Sequence, residues 1–212
     1  MKPGIIFDMD GTLWDSSEGV AISWTEIVNK EYDKERMITA EDIQGVMGRT
    51  MDKIADVLFA ELSKEERMAL LRKCCDYENE YLKEHGGILF EGLEETLDKL
   101  QKDYDLYIVS NCQAGYIEAF LDYYKFHDLV EDIECFGNNN KPKAENIAFI
   151  CERNNIAKED AVYVGDIQGD YDSATAAGVK FIHAAYGFGT IDTEVEKIQA
   201  FNELPVVMKK VF

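Results

Sequence analysis

The chain has 212 residues, of which 46% are hydrophobic and 30% are charged, and this composition excludes disordered and collagen-like classes. Its length suits one α/β domain, or one core domain with a modest insertion. Lys and Arg number 22 against 42 Asp and Glu, which gives a formal net charge of −20. So acidic a chain repels nucleic acid and anionic membranes. We expect neither as a partner, and an anionic substrate would need a local positive charge at its site.

The cysteines and the apolar segments bear on the cellular location. Five cysteines are present, an odd number, and none of them are in C-x-x-C spacing. This usage is typical of reduced thiols in a cytosolic protein. No apolar run approaches the roughly 18 residues of a membrane span, and the first residues lack the apolar region of a signal peptide. We therefore predict a cytoplasmic protein.

The first part of the chain combines one strand with a long helical region. Residues 4–7 form a short apolar run that ends at Asp8, which predicts a buried parallel strand. From residue 16 to about residue 85 the pattern is helical, and Ser16 is a candidate N-cap. Thr39 and Ser63 are each followed three residues later by an acid, the spacing of a capping box. Several helices are therefore expected here.

After Gly86 and Gly87 the pattern changes, and strands alternate with helices. Further strands are predicted at residues 106–109, 132–136, 161–164 and 179–182. This alternation predicts an α/β fold with a doubly wound parallel sheet. We therefore expect a core domain of residues 1–15 and 87–212, interrupted by a helical domain of residues 16–86, which we call the helical insert.

Three predicted strands end in residues that carry carboxylate, hydroxyl or amide groups. These residues are Asp8 and Asp10, Ser110 and Asn111, and Asp166 and Asp170. In open parallel sheets, ligands bind at the carboxyl ends of the strands. Carboxylates gathered there repel one another unless a cation joins them, and Mg²⁺ is the hard ion that binds a few carboxylates together with phosphate. The pattern therefore indicates a site for Mg²⁺ and phosphate.

These residues resemble the four motifs of the haloacid dehalogenase (HAD) superfamily. Asp8-Met-Asp10-Gly11-Thr12 follows an apolar strand as in the first motif, and Ser110 ends a strand as in the second. Lys141, within Asn-Lys-Pro-Lys, is similar to the third motif, and Gly165-Asp166-Ile-Gln-Gly-Asp170 to the fourth. The motifs occur in the family order, and the helical insert lies where subclass I members carry a cap. The resemblance implies a Rossmann-like core with a helical cap.

The resemblance also implies a mechanism. Asp8 would be the nucleophile that forms an aspartyl phosphate. Asp10 would protonate the leaving alcohol and then activate water. The family's Mg²⁺ site would be formed by Asp8, the backbone carbonyl of Asp10, and Asp166. Asp170 would hold a ligand, a water or the motif lysine.

The phosphate group would be held by Ser110 and by the backbone N–H groups that follow the first two motifs, which belong to Gly11, Thr12 and Asn111. The positive charge would come from Lys141. Lys143 is also basic, but Pro142 after Lys141 matches the Lys-Pro pair of the family. Lys141 is therefore the predicted catalytic lysine.

Among subclass I proteins, the chain resembles phosphoglycolate phosphatases most. The acid at Asp10 argues against haloacid dehalogenases and phosphonoacetaldehyde hydrolases, which lack it. β-Phosphoglucomutases are the alternative, but their caps carry a His and an Arg three residues after a glycine. Here Met51 lies three residues after Gly48. We therefore predict a Mg²⁺-dependent phosphatase, a phosphoric monoester hydrolase, that acts on a small phosphorylated metabolite.

Three further points remain open in the sequence. A receiver-type phospho-aspartate signalling module shares this residue set, but it lacks a large helical insert, and an acid at Asp10 would speed dephosphorylation. Arg49, beside Gly48 in a predicted turn between helices, is a candidate for contact with the leaving group, with a solvated surface arginine as the alternative reading. The protein is expected to be a monomer or a homodimer.

Overall fold

A computed structural model describes residues 2–212, and its centre is a sheet of six parallel strands. In spatial order these strands are β5 (Asp132–Cys135), β4 (Asp105–Ser110), β1 (Gly4–Phe7), β6 (Ala161–Gly165), β7 (Lys180–Ala184) and β8 (Lys197–Ile198). In chain order, β4 and β5 are added on one side of β1, and β6, β7 and β8 are then added on the other side. The order therefore reverses at β1, and ligands bind at such a switch point.

The helical insert leaves and rejoins the core through two short strands. These strands, β2 (Trp14–Asp15) and β3 (Ile88–Leu89), pair antiparallel. Between them lie α1 (Ser17–Glu31), α2 (Ala40–Gln44), α3 (Met51–Leu58) and α4 (Lys64–His85). Both predicted capping boxes are present, because Thr39 Oγ1 accepts from the Asp42 N–H and Ser63 Oγ accepts from the Glu66 N–H. The predicted helical character of this region is confirmed.

Helices cover both faces of the sheet. On one face, α5 (Leu93–Leu100), α6 (Tyr116–Tyr124) and α10 (Leu204–Val211) pack against the side of β1 that carries Ile5 and Phe7. On the other face, α8 (Lys143–Arg153) and α9 (Gln168–Ala177) pack against Ile6. Successive residues of a strand point to opposite faces, so a strand buried on both faces is apolar throughout. The predicted doubly wound α/β fold is confirmed.

Some boundaries differ from those expected. Helix α6 begins at Tyr116 rather than at residue 113, because Gly115 before it adopts a left-handed conformation with φ 90°. The short helix α7 (Phe136–Asn139) follows β5, where a strand end and a loop were predicted. Single 3₁₀ turns occur at Lys158–Asp160 and Phe201–Glu203. Within residues 2–212, no helix combines the length and apolarity needed to cross a membrane.

Candidate active site

The register of the sheet brings the predicted motif residues to one edge. Phe7 of β1 pairs with Ile108 of β4 and with Val164 of β6. Because the three strands are parallel, the residues that follow these partners lie side by side at the carboxyl edge. Asp8, Ser110 and Asp166 therefore lie at neighbouring strand ends, as the sequence predicted.

Three aspartates form a buried cluster at this edge. Asp8, Asp166 and Asp170 are at most 2% exposed, and each offers an oxygen within 4.8 Å of the oxygens offered by the others. A buried lysine joins them, since Lys143 Nζ donates to Asp8 Oδ1 at 2.9 Å and to Asp170 Oδ1 at 2.6 Å. One cation thus faces three carboxylates, and the cluster retains an excess of negative charge.

The lysine that contacts the cluster is Lys143, whereas the sequence predicted Lys141 for this place. Lys141 is exposed, and its ammonium lies 5.5 Å from the ring centroid of Phe149. Pro142 is extended, and Lys143 is the first residue of α8. The first residue of this helix faces the sheet, so its side chain enters the site.

A signal for this assignment exists in the sequence. Lys143 is in helical register with Asn146, Ile147 and Ile150, which are the buried face of α8. A lysine in register with a buried stripe is directed inward, whereas Lys141 precedes the helix. The Lys-Pro pair suggested the family motif but not the direction of the side chain.

The pKa values of the aspartates reflect this crowding. Burial, followed by the charge of Asp170, raises the pKa of Asp8 to about 7. Burial and the charges of Asp170 and Asp8 raise the pKa of Asp166 to about 8. For Lys143, burial lowers the pKa, but Asp170 and Asp8 outweigh it and the net shift is upward. The Lys143 ammonium therefore stays protonated, but its single positive charge does not offset the burial and mutual repulsion of the three carboxylates.

The donor set fits a divalent cation. Asp170 Oδ1 accepts from Lys143, and Asp170 Oδ2 accepts from the backbone N–H groups of Asp166 and Ile167. Asp170 is therefore occupied in holding the lysine and the loop. Asp8 Oδ2 and Asp166 Oδ1 accept no hydrogen bond from the described residues. Two free carboxylate oxygens with a local excess of negative charge suit Mg²⁺, which binds few carboxylates together with other oxygens.

Asp10 lies in a different environment from Asp8. Its Oδ1 accepts from the hydroxyl of Ser16 at 2.8 Å and from the hydroxyl of Tyr116 at 2.6 Å. Burial raises the pKa of Asp10, although these two hydrogen bonds oppose the shift. Two neighbouring carboxyls thus differ in partners, because Asp8 contacts a cation and Asp10 contacts only neutral hydroxyls.

Ser16 and Tyr116 were not predicted as site residues. Ser16 was expected to cap α1, and it occupies the N-cap position, but its side chain makes no capping hydrogen bond. Its hydroxyl instead contacts Asp10 and the Tyr116 hydroxyl, the latter at 2.7 Å. Tyr116 is 106 residues from Asp10 in sequence, so no local pattern pointed to this contact.

The loop after β7 fixes Asp166. The N–H of Phe188 donates to Asp166 Oδ2 at 2.8 Å. Gly11 packs here with φ +80°, and a Cβ at this position would lie 2.1 Å from Asp166 Oδ2. The site therefore requires glycine at Gly11. The neighbouring Thr12 hydroxyl is buried and has no hydrogen-bond partner within residues 2–212.

A cavity of about 50 Å³ separates the core from the helical insert beside Asp10. The core contributes Ser110 and Asn111 to its wall, and the insert contributes Arg49. Asn111 Nδ2 donates to the Gly48 carbonyl at 2.9 Å, and so ties the core to the insert. Arg49 is exposed and lines the cavity, which is compatible with its predicted contact to a leaving group.

Fold and site together define a class of protein: a doubly wound α/β protein with a buried cluster of aspartates at the switch point of its sheet. A sequence model of the haloacid dehalogenase-like hydrolases matches residues 5–184. The chain belongs to this family. The predicted family membership is thereby confirmed.

Known proteins similar to this chain agree with that assignment. Phosphoglycolate phosphatase of Escherichia coli strain K12 is 28% identical, over 87% of this chain and 82% of that protein. A haloacid dehalogenase-like hydrolase from Bacteroides fragilis shares the fold at 23% identity, with a TM-score of 0.82 over 96% of this chain and all of that one. A haloacid dehalogenase-like family hydrolase from Streptococcus pneumoniae has a TM-score of 0.81 at 22% identity, over 98% of both chains. The predicted enzyme class, a phosphoric monoester hydrolase of this family, is confirmed.

Proposed function

We propose that the protein is a Mg²⁺-dependent phosphatase that hydrolyses a small phosphorylated metabolite through an aspartyl phosphate on Asp8. The observation that carries this proposal is the contrast between Asp8 and Asp10. Asp8 contacts the ammonium of Lys143, which favours the carboxylate form that a nucleophile needs. Asp10 has no cation in contact and accepts only from two neutral hydroxyls, and burial raises its pKa, so it can carry the proton that an acid catalyst gives to the leaving group.

The two steps follow from this contrast. A carboxylate oxygen of Asp8 attacks phosphorus, the bond from phosphorus to the leaving oxygen breaks, and Asp10 gives its proton to that oxygen. Water then attacks the same phosphorus, Asp10 takes a proton from the water, and the bond from phosphorus to Asp8 breaks. Ser16 and Tyr116 hold the Asp10 carboxyl in place through both steps. The site returns to its starting state with phosphate and alcohol as products.

The residues that would hold Mg²⁺ are Asp8 and Asp166, with the backbone carbonyl of Asp10 as the family resemblance implies. When bound, the ion supplies charge neutralisation for the transferring phosphoryl group. Lys143 supplies a second positive charge through its contact with Asp8 Oδ1, and Asp170 positions this lysine. The local positive field that the acidic composition demands thus comes from one lysine and one ion.

Phosphate oxygens would be bound by the Ser110 hydroxyl and by the N–H group of Asn111. The N–H groups of Gly11 and Thr12, which the sequence predicted for this role, donate instead to the carbonyls of Trp14 at 3.0 Å and Met9 at 3.1 Å. Asn111 contributes its backbone only, since its side-chain amide already contacts Gly48.

The helical insert would act as the cap that chooses the leaving group, hinging at the paired strands β2 and β3. The cavity of about 50 Å³ favours a small leaving group. The name of the E. coli relative makes 2-phosphoglycolate the first compound to assay. Phosphate release from a panel of small phosphate esters, an aryl phosphate and a phosphodiester tests the proposal, and release from the diester alone would contradict it.

Activity is expected to require Mg²⁺ and to be inhibited by Ca²⁺. Ca²⁺ prefers more oxygen ligands at longer distances, so it would draw both oxygens of Asp8 onto the metal and block attack. Phosphate release is measured after EDTA treatment, then with added Mg²⁺, and then with Ca²⁺ competing. Undiminished activity in excess EDTA would show that the carboxylate cluster does not serve a metal.

Replacing Arg49 with alanine is expected to lower kcat/KM on the best substrate about threefold, because Arg49 is exposed and water screens its contact with the leaving group. It should change little on an aryl phosphate, whose leaving group offers no matching contact. Arg72→Ala is the matched control, because Arg72 is also an exposed arginine of the insert but does not line this cavity. Equal losses on both substrates would assign Arg49 to stability instead.

A further inference from the structure

A second acidic group faces the cavity from the helical insert. Glu78 lies on α4, is only 3% exposed, and lines the cavity together with Asp10. It is in register with Leu71, Cys75 and Leu82, which form the buried face of α4. A leucine or methionine would pack at this position, so a buried carboxyl here calls for an explanation.

The contacts of Glu78 are all with neutral donors. Its Oε2 accepts from the indole N–H of Trp24, and its Oε1 accepts from Gln113 Nε2 at 3.0 Å. An indole N–H can only donate, so the Glu78 oxygen that faces Trp24 must act as an acceptor. Within residues 2–212, Glu78 takes part in none of the ion pairs. It is a buried acid that is hydrogen-bonded at both oxygens but has no cation.

The hydrogen bonds from Trp24 and Gln113 do not fully offset the cost of burying the Glu78 carboxylate. Burial raises the pKa of Glu78 to about 7, against the lowering effect of Gln113 and Trp24, and the charge of Asp10 raises it further. A further donor or a cation at the free lone pairs would stabilise the carboxylate. Glu78 lines the cavity next to Asp10, which offers space for such a group.

We propose that Glu78 binds the leaving group of the substrate, and that this leaving group carries a hydrogen-bond donor, a hydroxyl or an ammonium, rather than a carboxylate. The inference rests on the proposed phosphatase function and specifies its substrate class. A donor of this kind completes the lone pairs of Glu78. It would lie on the side of the cavity that the insert forms, while the phosphate ester lies at Asp8.

A leaving group with a carboxylate is disfavoured by charge. Glu78 lines the cavity and has no cation beside it, so a carboxylate of the leaving group placed against Glu78 would be repelled at low dielectric. Arg49 is the basic residue in the wall, but it is exposed, so water and salt screen its charge. Much of the remaining wall is apolar, with Val20, Val46 and Ile54. The cavity therefore suits a short aliphatic chain that ends in a donor.

Three two-carbon phosphate esters test the inference, because they differ only in their end group. These are 2-hydroxyethyl phosphate, O-phosphoethanolamine and 2-phosphoglycolate. We expect kcat/KM for at least one donor ester to exceed that for 2-phosphoglycolate about tenfold. A preference for O-phosphoethanolamine would identify charge pairing as the main interaction, and a preference for 2-hydroxyethyl phosphate would identify hydrogen bonding.

Glu78→Gln is expected to abolish this preference, because the amide keeps the size of the side chain but loses the charge and one acceptor. Glu80→Gln is the matched control, since Glu80 lies on the same helix, is exposed and does not line the cavity. It should leave the order of the three esters unchanged. If Glu78→Gln fails to fold, the order measured with the unmodified protein decides the question.

Two results would overturn the inference: a kcat/KM for 2-phosphoglycolate equal to or above that for both donor esters, or a donor preference that persists in folded Glu78→Gln. An aryl phosphate separates these results from failure of the proposed function. If the aryl phosphate is hydrolysed but the donor esters are not preferred, the proposed phosphatase function stands and only the proposed role of Glu78 is contradicted. If no ester, including the aryl phosphate, releases phosphate, the proposed phosphatase function itself is contradicted.

Discussion

Replacing Asp8 with asparagine is expected to reduce Mg²⁺-supported phosphate release at least about 1,000-fold, because the nucleophile of the reaction is lost. Asparagine has nearly the same shape as aspartate, but its amide does not form an acyl phosphate. The fold should be retained, since Lys143 keeps its contact with Asp170 at 2.6 Å. Steady-state phosphate release measures the effect, and circular dichroism with thermal unfolding checks the fold.

Asp172→Asn is the matched control for this substitution. Asp172 is an exposed aspartate of α9, two residues beyond Asp170, and it lies outside the carboxylate cluster. It should retain nearly full activity. Phosphate release near the unmodified rate from folded Asp8→Asn would show that another group attacks phosphorus, and the contrast between Asp8 and Asp10 would then need a different explanation.

The fold and the carboxylate cluster were predictable because their signals are local. A short apolar run followed by a polar residue marks the carboxyl end of a buried parallel strand, and three such ends must meet at one edge of the sheet. Asp8, Ser110 and Asp166 were located in this way. The spacing alone also identified the capping boxes at Thr39 and Ser63, because both partners of a capping box lie within one helical turn.

The partners of the site residues were not predictable in the same way. Tyr116 reaches Asp10, and the N–H of Phe188 reaches Asp166, across long separations in sequence. Such contacts arise only when the sheet and its connections are assembled. Glu78 was overlooked for a related reason: a glutamate in a charged helix is usually solvated, and burial of this one depends on the packing of α4 against the core. Local pattern predicts the residue types at a strand end, while tertiary packing decides what surrounds them.

Replacing Lys143 with methionine is expected to lower kcat/KM at least about 100-fold, because the cation that balances Asp8 and Asp170 is lost while the volume of the side chain is roughly kept. Lys141→Met should change kcat/KM less than about twofold, since Lys141 is exposed and lies outside the cluster. The two substitutions remove the same charge from positions two residues apart. Steady-state phosphate release from the two variants therefore distinguishes the structural assignment from the motif-based one.

The stability of the metal-free proteins gives a second, pH-dependent readout of the same assignment. Removing one partner of a buried ion pair costs about 3–5 kcal/mol when the other partner stays charged. In the unmodified protein the pKa of Asp8 is raised from 3.8 to about 7, and that of Asp166 from 3.8 to about 8, so both are protonated more readily in the folded state. Loss of Lys143 raises the pKa of Asp8 and of Asp166 further, and protonation at low pH then removes the repulsion between the carboxylates.

The deficit in Tm of Lys143→Met relative to the unmodified protein should therefore be larger at pH 9 than at pH 6. Lys141→Met should show little deficit at either pH. Only a lysine that neutralises the buried aspartates produces this dependence on pH. A larger loss of activity or stability in Lys141→Met than in Lys143→Met would therefore assign the catalytic role to Lys141.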